Sequence, residues 1–74
     1  MPLPGEVDWS SATKYRVQVV WRRRWRGGYK ARVGWRSWVL KLNNFPDEPA
    51  YSLFINGRHI LDTSDWPPEW TKRR

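Results

Sequence analysis

The chain has 74 residues, the size of one small domain (residues 1–74) whose single hydrophobic core is only just large enough for stability. It has no cysteine and one histidine, which excludes disulfide cross-links and argues against a zinc site, so we expect no metal or cofactor. No apolar run approaches the roughly 20 residues of a membrane span, and the N-terminus lacks the basic and apolar regions of a signal peptide. These features predict a cytoplasmic protein with no membrane partner.

The formal net charge of +7 arises from one part of the chain. The stretch between Ser10 and Phe45 has no acidic residue, and it contains four tryptophans. Its ten basic residues are Lys14, Arg16, Arg22, Arg23, Arg24, Arg26, Lys30, Arg32, Arg36 and Lys41. Such a concentration of like charge repels itself and gains nothing for folding. It therefore indicates an anionic partner.

The first predicted element in chain order is a β-hairpin with strands at about residues 14–25 and 29–42. Apolar residues such as Val19 and Trp21 alternate with polar and basic ones, and the alternation resumes after two glycines. A three-residue loop at 26–28 with glycine in the left-handed conformation joins the two strands. This loop fixes which residues face each other.

The resulting register divides the hairpin into an apolar face and a basic face. Trp21 lies opposite Val33 on the apolar side, and Arg22 lies opposite Arg32 on the other, with Arg24 opposite Lys30. The basic face consists of Arg16, Gln18, Val20, Arg22, Arg24, Lys30, Arg32 and Arg36. Like charges directly opposite each other destabilise a sheet by on the order of 0.2 to 1 kcal/mol per pair. A solvated face that keeps the protein soluble is the simpler interpretation, but the predominance of arginine favours bidentate binding of an anion.

After Trp35 the alternation changes phase, which predicts a β-bulge near Arg36-Ser37. With that bulge Trp21, Trp35 and Trp38 all face the core. Residues 43–49 contain two asparagines and two prolines and are predicted to form a loop.

A second hairpin is predicted with strands at 51–55 and 58–62, joined by the preferred two-residue turn Asn56-Gly57. Its register places Leu53 opposite Ile60 and Phe54 opposite His59. The tail is predicted to form a short helix at about 67–73, with an extended proline-rich arm as the alternative. Trp9, Trp66 and Trp70 are predicted to cover the open edges of the sheet.

These elements predict a mainly all-β fold: a small twisted antiparallel sheet or a partly open barrel of four or five strands, with a short C-terminal helix or arm. The strand order and the oligomeric state stay open, since edge strands can pair between chains.

The favoured function is nucleic-acid binding without catalysis, with single-stranded nucleic acid or RNA as the preferred partner. The residues predicted to hold phosphates are Arg22, Arg24, Arg26, Lys30, Arg32 and Arg36. Trp25 and Tyr29 are predicted to stack on unpaired bases near the hairpin tip. Because a two-stranded ribbon can enter a major groove, duplex DNA stays an alternative.

The chief rival function is that of a small protein-binding inhibitor or accessory factor of the kind encoded by phages and mobile elements. Such a protein would dock its basic face on an acidic or nucleic-acid-handling partner protein, and arginine and tryptophan are also favoured at protein interfaces. A third hypothesis is a toxin-type ribonuclease that uses His59 as the acid and Asp62 as the base. The sequence contains no phosphate-binding glycine loop, nucleophile elbow or metal-ligand spacing that would favour another enzyme.

Overall fold

The structure is a computed structural model, and it describes residues 6–24 and 27–73. A 3-10 helix, Thr13–Tyr15, precedes six strands: β1 Val19–Arg23, β2 Tyr29–Val33, β3 Arg36–Leu42, β4 Tyr51–Ile55, β5 Arg58–Thr63 and β6 Trp70–Arg73. They form one open sheet in the order β5-β4-β3-β2-β1-β6, antiparallel throughout except that β6 runs parallel to β1. The prediction of a mainly β fold is confirmed, whereas the strand number of four or five is wrong. No helix in the described part of the chain is long and apolar enough to cross a membrane.

The β1–β2 hairpin has a different register from the predicted one, but it keeps the same two faces. Arg22 lies opposite Lys30 and Arg23 opposite Tyr29, so Arg22 is not opposite Arg32. The register has moved by two residues, and because side chains alternate with a period of two, no side chain changes face. β1 also begins later than predicted, since residues 13–15 are helical.

Two glycines close this hairpin. Gly27 and Gly28 have φ values of 94° and 77°, which confirms the predicted left-handed conformation in the loop. At Gly28 there is also no room for a side chain, because a Cβ atom would overlap the backbone oxygen of Leu40 in β3. Gly28 is therefore needed both for the turn and for the close approach of the hairpin to β3.

The predicted continuous strand at 29–42 is wrong, because the chain reverses at Gly34-Trp35 and forms a second hairpin, β2–β3. Val33 lies directly opposite Arg36 across this two-residue turn. Gly34, at the first central position, has a φ of 62°, as a type II′ turn requires there.

This turn, and not a bulge at Arg36-Ser37, accounts for the change in the apolar phase. Reversal at the turn places Ala31 opposite Trp38, so both stay on the apolar side of the sheet. Trp38 is buried as predicted. Trp35 is not: it lies in the turn with 75% of its surface exposed, because residues at a hairpin tip extend beyond the core.

The β4–β5 hairpin confirms the predicted Asn56-Gly57 turn, with φ values of 52° and 82° that are typical of a type I′ turn. Phe54 lies opposite His59, as predicted. Between Leu53 and Phe54 a bulge then shifts the register, so Leu53 lies opposite Leu61 and not opposite Ile60. The bulge lets both leucines enter the core.

The predicted helix at 67–73 is wrong. The Trp70 amide donates to the Pro67 carbonyl at 3.0 Å in a turn, and the chain then extends beside β1 with Trp70 opposite Val19. In this position Trp70 is 2% exposed, and its indole N–H donates to the Tyr15 carbonyl at 3.1 Å. An extended strand buries this large side chain and pairs the backbone with β1, which a solvent-exposed helical turn would not do.

One face of the sheet, called here the core face, carries the hydrophobic core. Its fully buried side chains include Trp21, Leu40 and Leu53. The N-terminal segment packs over it through Trp9, whose ring meets that of Trp70 edge-on at 5.6 Å. Trp66, from the β5–β6 connection, donates its indole N–H to the Trp70 carbonyl at 2.7 Å. Trp9 and Trp66 thus cover the core face, whereas Trp70 belongs to the sheet.

Candidate functional site

The other face of the sheet, called here the open face, carries most of the basic residues of the strands. Its side chains are those of Val20, Arg22, Lys30, Arg32, Ser37, Val39, Lys41, Ser52, Phe54, His59, Asp62, Thr71 and Arg73. Arg73, Arg22 and Lys30 occupy directly opposed positions on β6, β1 and β2. Neighbouring strands are about 4.8 Å apart, so these three positions lie within roughly 10 Å.

These cations border a shallow groove of about 480 Å³, called here the cationic groove. It is lined by Val20, Arg22, Lys30, Ala31, Arg32, Ser37 and Arg73. Val20 has 54% of its surface exposed, and Arg32 lies opposite Ser37. The groove thus combines a small apolar surface with four positive charges.

The charges of the cationic groove have no acidic partner within the part of the chain that the structure describes. The ion pairs found there are Arg16–Glu69 at 3.4 Å and His59–Asp62 at 2.7 Å, and neither includes a residue of the groove. Arg22 instead lies between two other cations, Lys30 on one side and Arg73 on the other. Such an arrangement destabilises the sheet and leaves the guanidinium groups available to an external anion.

Of the residues predicted to hold phosphates, Arg22, Lys30 and Arg32 lie together in this groove. Arg24 follows β1 by one residue, continues the same alternation and is half-buried. Arg26 and Trp25, also predicted for the site, lie outside the described residues. The central part of the predicted phosphate-binding set is therefore on one surface.

Two predicted site residues lie elsewhere. Arg36 lies opposite Val33 on the core face, with its guanidinium 5.3 Å from the centre of the Trp35 ring, because the turn reverses the chain before it. Tyr29 is half-buried on the core face and packs edge-on against Trp66 at 5.4 Å, so it is not a free stacking platform at the hairpin tip.

Arg73 also lines the groove, but it was not predicted as a site residue because it lies in the segment predicted to be helical. Residues 70–73 read Trp-Thr-Lys-Arg, which has no alternation of apolar and polar side chains, so no local pattern predicted a strand there. The pairing partner of β6, β1, lies about fifty positions earlier in the chain, which no local pattern reveals.

Towards β5 the open face changes from cationic to apolar and aromatic. Lys30 lies opposite Val39 on β3, Val39 opposite Phe54 on β4, and Phe54 opposite His59 on β5. Val39 and Phe54 are half-buried, and the rings of Phe54 and His59 are 5.4 Å apart. A single row across the sheet thus runs from three cations to a pair of flat rings.

At the end of this row His59 Nε2 lies 2.7 Å from Asp62 Oδ1, and Ser52 Oγ donates to the same oxygen at 2.6 Å. Burial raises the pKa of Asp62, but the hydrogen bonds from Ser52 and His59 and the charge of His59 outweigh it, so the pKa lies below its ordinary value. The Ser52 proton is directed to the carboxylate and not to the imidazole. The trio is therefore not arranged as a nucleophile beside its base.

Within residues 6–24 and 27–73, no cluster of His, Cys, Asp and Glu side chains is placed to hold a metal ion. Comparison with protein families, curated proteins and solved structures found no match to this chain. The geometry and charge of the open face are therefore the features from which a function can be inferred.

Proposed function

We propose that the protein binds single-stranded nucleic acid or RNA, without catalysis, on the open face of its sheet. The observation that carries this proposal is the convergence of Arg22, Lys30, Arg32 and Arg73 on one groove with no described carboxylate close enough to neutralise them. Folding alone gives no reason to place three of these cations on directly opposed positions. Binding of a polyanion would explain this placement, because its phosphates neutralise the charges that repel each other.

The chemistry of the groove matches a phosphate backbone. Arginine offers a planar fork of donors that binds phosphate oxygens bidentately, and three of the four cations are arginines. The groove is open and shallow, so a chain of phosphates can cross it, whereas a small anion would stay largely in solvent.

The neighbouring Phe54 and His59 supply surfaces for bases. A single-stranded nucleic acid whose phosphates lie over β6, β1 and β2 would place its bases towards Val39 and Phe54, which lie in the same row of the sheet. Stacking on an aromatic ring requires an unpaired base. In this proposal Phe54 takes the stacking role that the sequence analysis assigned to Trp25 and Tyr29.

The position of the β1–β2 hairpin favours a single strand over duplex DNA. A major groove about 12 Å wide admits a two-stranded ribbon but not a much wider sheet. Here β1 is paired with β6 and β2 with β3, so the hairpin is the middle of a six-stranded sheet. A flexible single strand can follow such a broad surface, whereas a duplex cannot admit it into its groove.

The test is the salt dependence of binding to a labelled oligothymidylate or oligouridylate, measured by fluorescence anisotropy. If the four cations each neutralise one phosphate, the slope of log affinity against log salt is about −2.8, at about −0.7 per phosphate. The double variant Arg22→Thr/Arg73→Thr should make the slope shallower by about 1.4. It should also weaken binding about 25-fold at 0.1 M salt.

A matched control removes two charges from other surfaces. Lys14 and Arg23 are exposed, and neither lies on the open face. Lys14→Thr/Arg23→Thr has the same net charge as the first variant and should retain the wild-type slope. Equal losses in the two variants would mean that net charge alone drives binding, and failure of the wild-type protein to bind either oligonucleotide would reject the proposal.

A further inference from the structure

Among the described residues Trp35 contacts the Arg36 guanidinium, 5.3 Å from its ring centre, but it does not pack against the hydrophobic core. The type II′ turn makes its special backbone demand at Gly34, and nothing in the turn requires a large ring at the next position. Trp35 nevertheless exposes 75% of its surface, more than the other exposed large hydrophobic side chains of the described chain. Exposing an indole forgoes the stabilisation that burial of its large apolar surface would give. This cost indicates that the ring is used by a ligand.

The surroundings of Trp35 identify the chemistry of that ligand. A second groove of about 340 Å³, called here the Trp35 groove, is lined by Tyr15, Trp35, Arg36, Ile55, Asn56, Arg58 and Ile60. It contains two arginines and two aromatic rings, and none of its lining residues is acidic. The groove is therefore complementary to a ligand that is both flat and anionic, as a nucleotide is.

Asn56 adds a directed hydrogen-bond donor to this groove. The Asn56 Oδ1 accepts from the Ser37 backbone N–H at 3.0 Å, and the Asn56 backbone N–H donates to the Ser37 carbonyl at 2.8 Å. Because a backbone N–H must meet an oxygen, the Asn56 side-chain amide group is oriented with its NH₂ away from this contact. The NH₂ group is then available to the edge of a base that stacks on Trp35.

The Trp35 groove and the cationic groove lie on opposite faces of the sheet, beside the same end of β3. Ser37 lines the cationic groove and Arg36, the residue before it, lines the Trp35 groove. Because side chains alternate between the two faces along β3, a nucleic-acid strand has to pass around the β2–β3 turn to contact both grooves. Trp35 lies in that turn, so its exposed ring is on the route between the two grooves.

We propose that Trp35, Arg36, Asn56 and Arg58 form a second nucleotide subsite, in which an unpaired base stacks on Trp35 and its flanking phosphates contact the two arginines. The bound nucleic-acid strand passes from the cationic groove around the beginning of β3 to reach this subsite. This inference rests on the proposed function of the open face and extends the binding site onto the other side of the sheet.

The experiment compares two probes of equal length, an oligothymidylate and an abasic strand with the same phosphates. Trp35→Ala should weaken binding to the oligothymidylate by about fivefold to 150-fold, the usual range for one stacked base. Binding to the abasic strand should not change, and the salt slope should stay at its wild-type value because stacking neutralises no phosphate. Trp35→Phe, which keeps a ring, should recover part of the loss.

Phe45→Ala is the matched control, since Phe45 is an aromatic side chain that is 60% exposed and lines neither groove. It should bind both probes as the wild type does. Thermal melts of the variants separate loss of binding from loss of folding, because removal of an exposed ring leaves the melting temperature nearly unchanged.

The outcomes distinguish this inference from the proposal on which it rests. If the wild type binds oligothymidylate with the expected salt slope and Trp35→Ala binds equally well, the second subsite is wrong and the open-face function stands. If the wild type binds neither probe, both are wrong. Capture of a purified protein partner through Trp35 in the absence of nucleic acid, with no effect of Trp35→Ala on oligonucleotide binding, would also overturn the subsite.

Discussion

Trp21 and Arg22 are neighbours in β1, yet they lie in opposite physical environments. Trp21 is fully buried on the core face, with its ring 5.2 Å from Trp70 and 6.2 Å from Trp38. Arg22 extends from the open face into solvent between Lys30 and Arg73. The core face packs its large side chains against one another, whereas the cations of the cationic groove have no acidic partner among the described residues.

This contrast separates the residues that stabilise the fold from those that we propose to bind a partner. A 74-residue domain has a small margin of stability, so an arrangement that weakens the sheet must be offset by the core. The tryptophan cluster on the core face supplies that stabilisation. The two faces are thus expected to respond to substitution in opposite ways.

The largest expected effect is on the core face. Trp21→Ala should lower the free energy of unfolding by about 3 to 5 kcal/mol, because it removes a fully buried ring and leaves a cavity among three other aromatic rings. Urea titration followed by circular dichroism measures this loss. Trp35→Ala, the control, removes an equally large side chain from the turn and should cost less than about 0.5 kcal/mol.

Since Trp21→Ala can prevent folding altogether, Trp21→Phe provides a second measurement. The Trp21 indole N–H is buried with no hydrogen-bond partner among the described residues. Replacement by phenylalanine therefore reduces the buried volume but also removes an unsatisfied donor. Its loss should be smaller than that of Trp21→Ala. A greater loss in Trp35→Ala than in Trp21→Phe would contradict the division of the molecule into two faces.

On the open face the expected change is smaller and has the opposite sign. Arg22→Thr/Arg73→Thr removes two like-charge contacts and introduces a β-branched residue suited to strands, so the free energy of unfolding should rise by on the order of 0.2 to 1 kcal/mol per relieved pair. The gain should diminish as salt is added, because salt screens the repulsion in the wild type. A loss of stability that salt does not alter would show that the arginine stems support the sheet.

The two faces were predictable from the sequence to different extents. Arg22, Lys30 and Arg32 were placed on one face correctly although the register was wrong, because an error of two residues preserves the alternation. The Asn56-Gly57 turn was also predictable, since its backbone conformation demands those residue types.

What the sequence could not reveal depends on contacts between distant segments. Arg73 enters the cationic groove only because β6 pairs with β1 across most of the chain, and local patterns carry no information about such a pairing. Gly34-Trp35 was missed because the residues on both sides continue to alternate, so the reversal looked like a bulge. Both errors affected the site more than the core, since Trp21 and Trp38 lie within strands whose apolar face was predicted correctly, whereas Trp35 lies in the missed turn and is exposed.

The smallest expected effect concerns Asp62, the carboxylate found on the described open face. Its pKa is below the ordinary value, so its charge stabilises the folded state above the pKa of the unfolded chain, and this contribution is lost as the pH falls through the folded-state pKa. Ser52→Ala removes one of the hydrogen bonds that lower the pKa and should raise it, as measured by NMR titration of the carboxyl carbon. Asp8, whose pKa is lowered by the side chain and backbone amide of Ser10, is the internal control and should titrate unchanged.

The same titration tests whether the cationic groove is free of acidic partners. Asp62 is held by Ser52 and His59, so Arg22→Thr/Arg73→Thr should leave its pKa at the wild-type value. If this double variant raised the pKa of Asp62 as much as Ser52→Ala does, the arginines would already be neutralising an acid within the protein. Their charges would then not be free to bind a polyanion, and the contrast between the packed core face and the unpaired cations of the cationic groove would be lost.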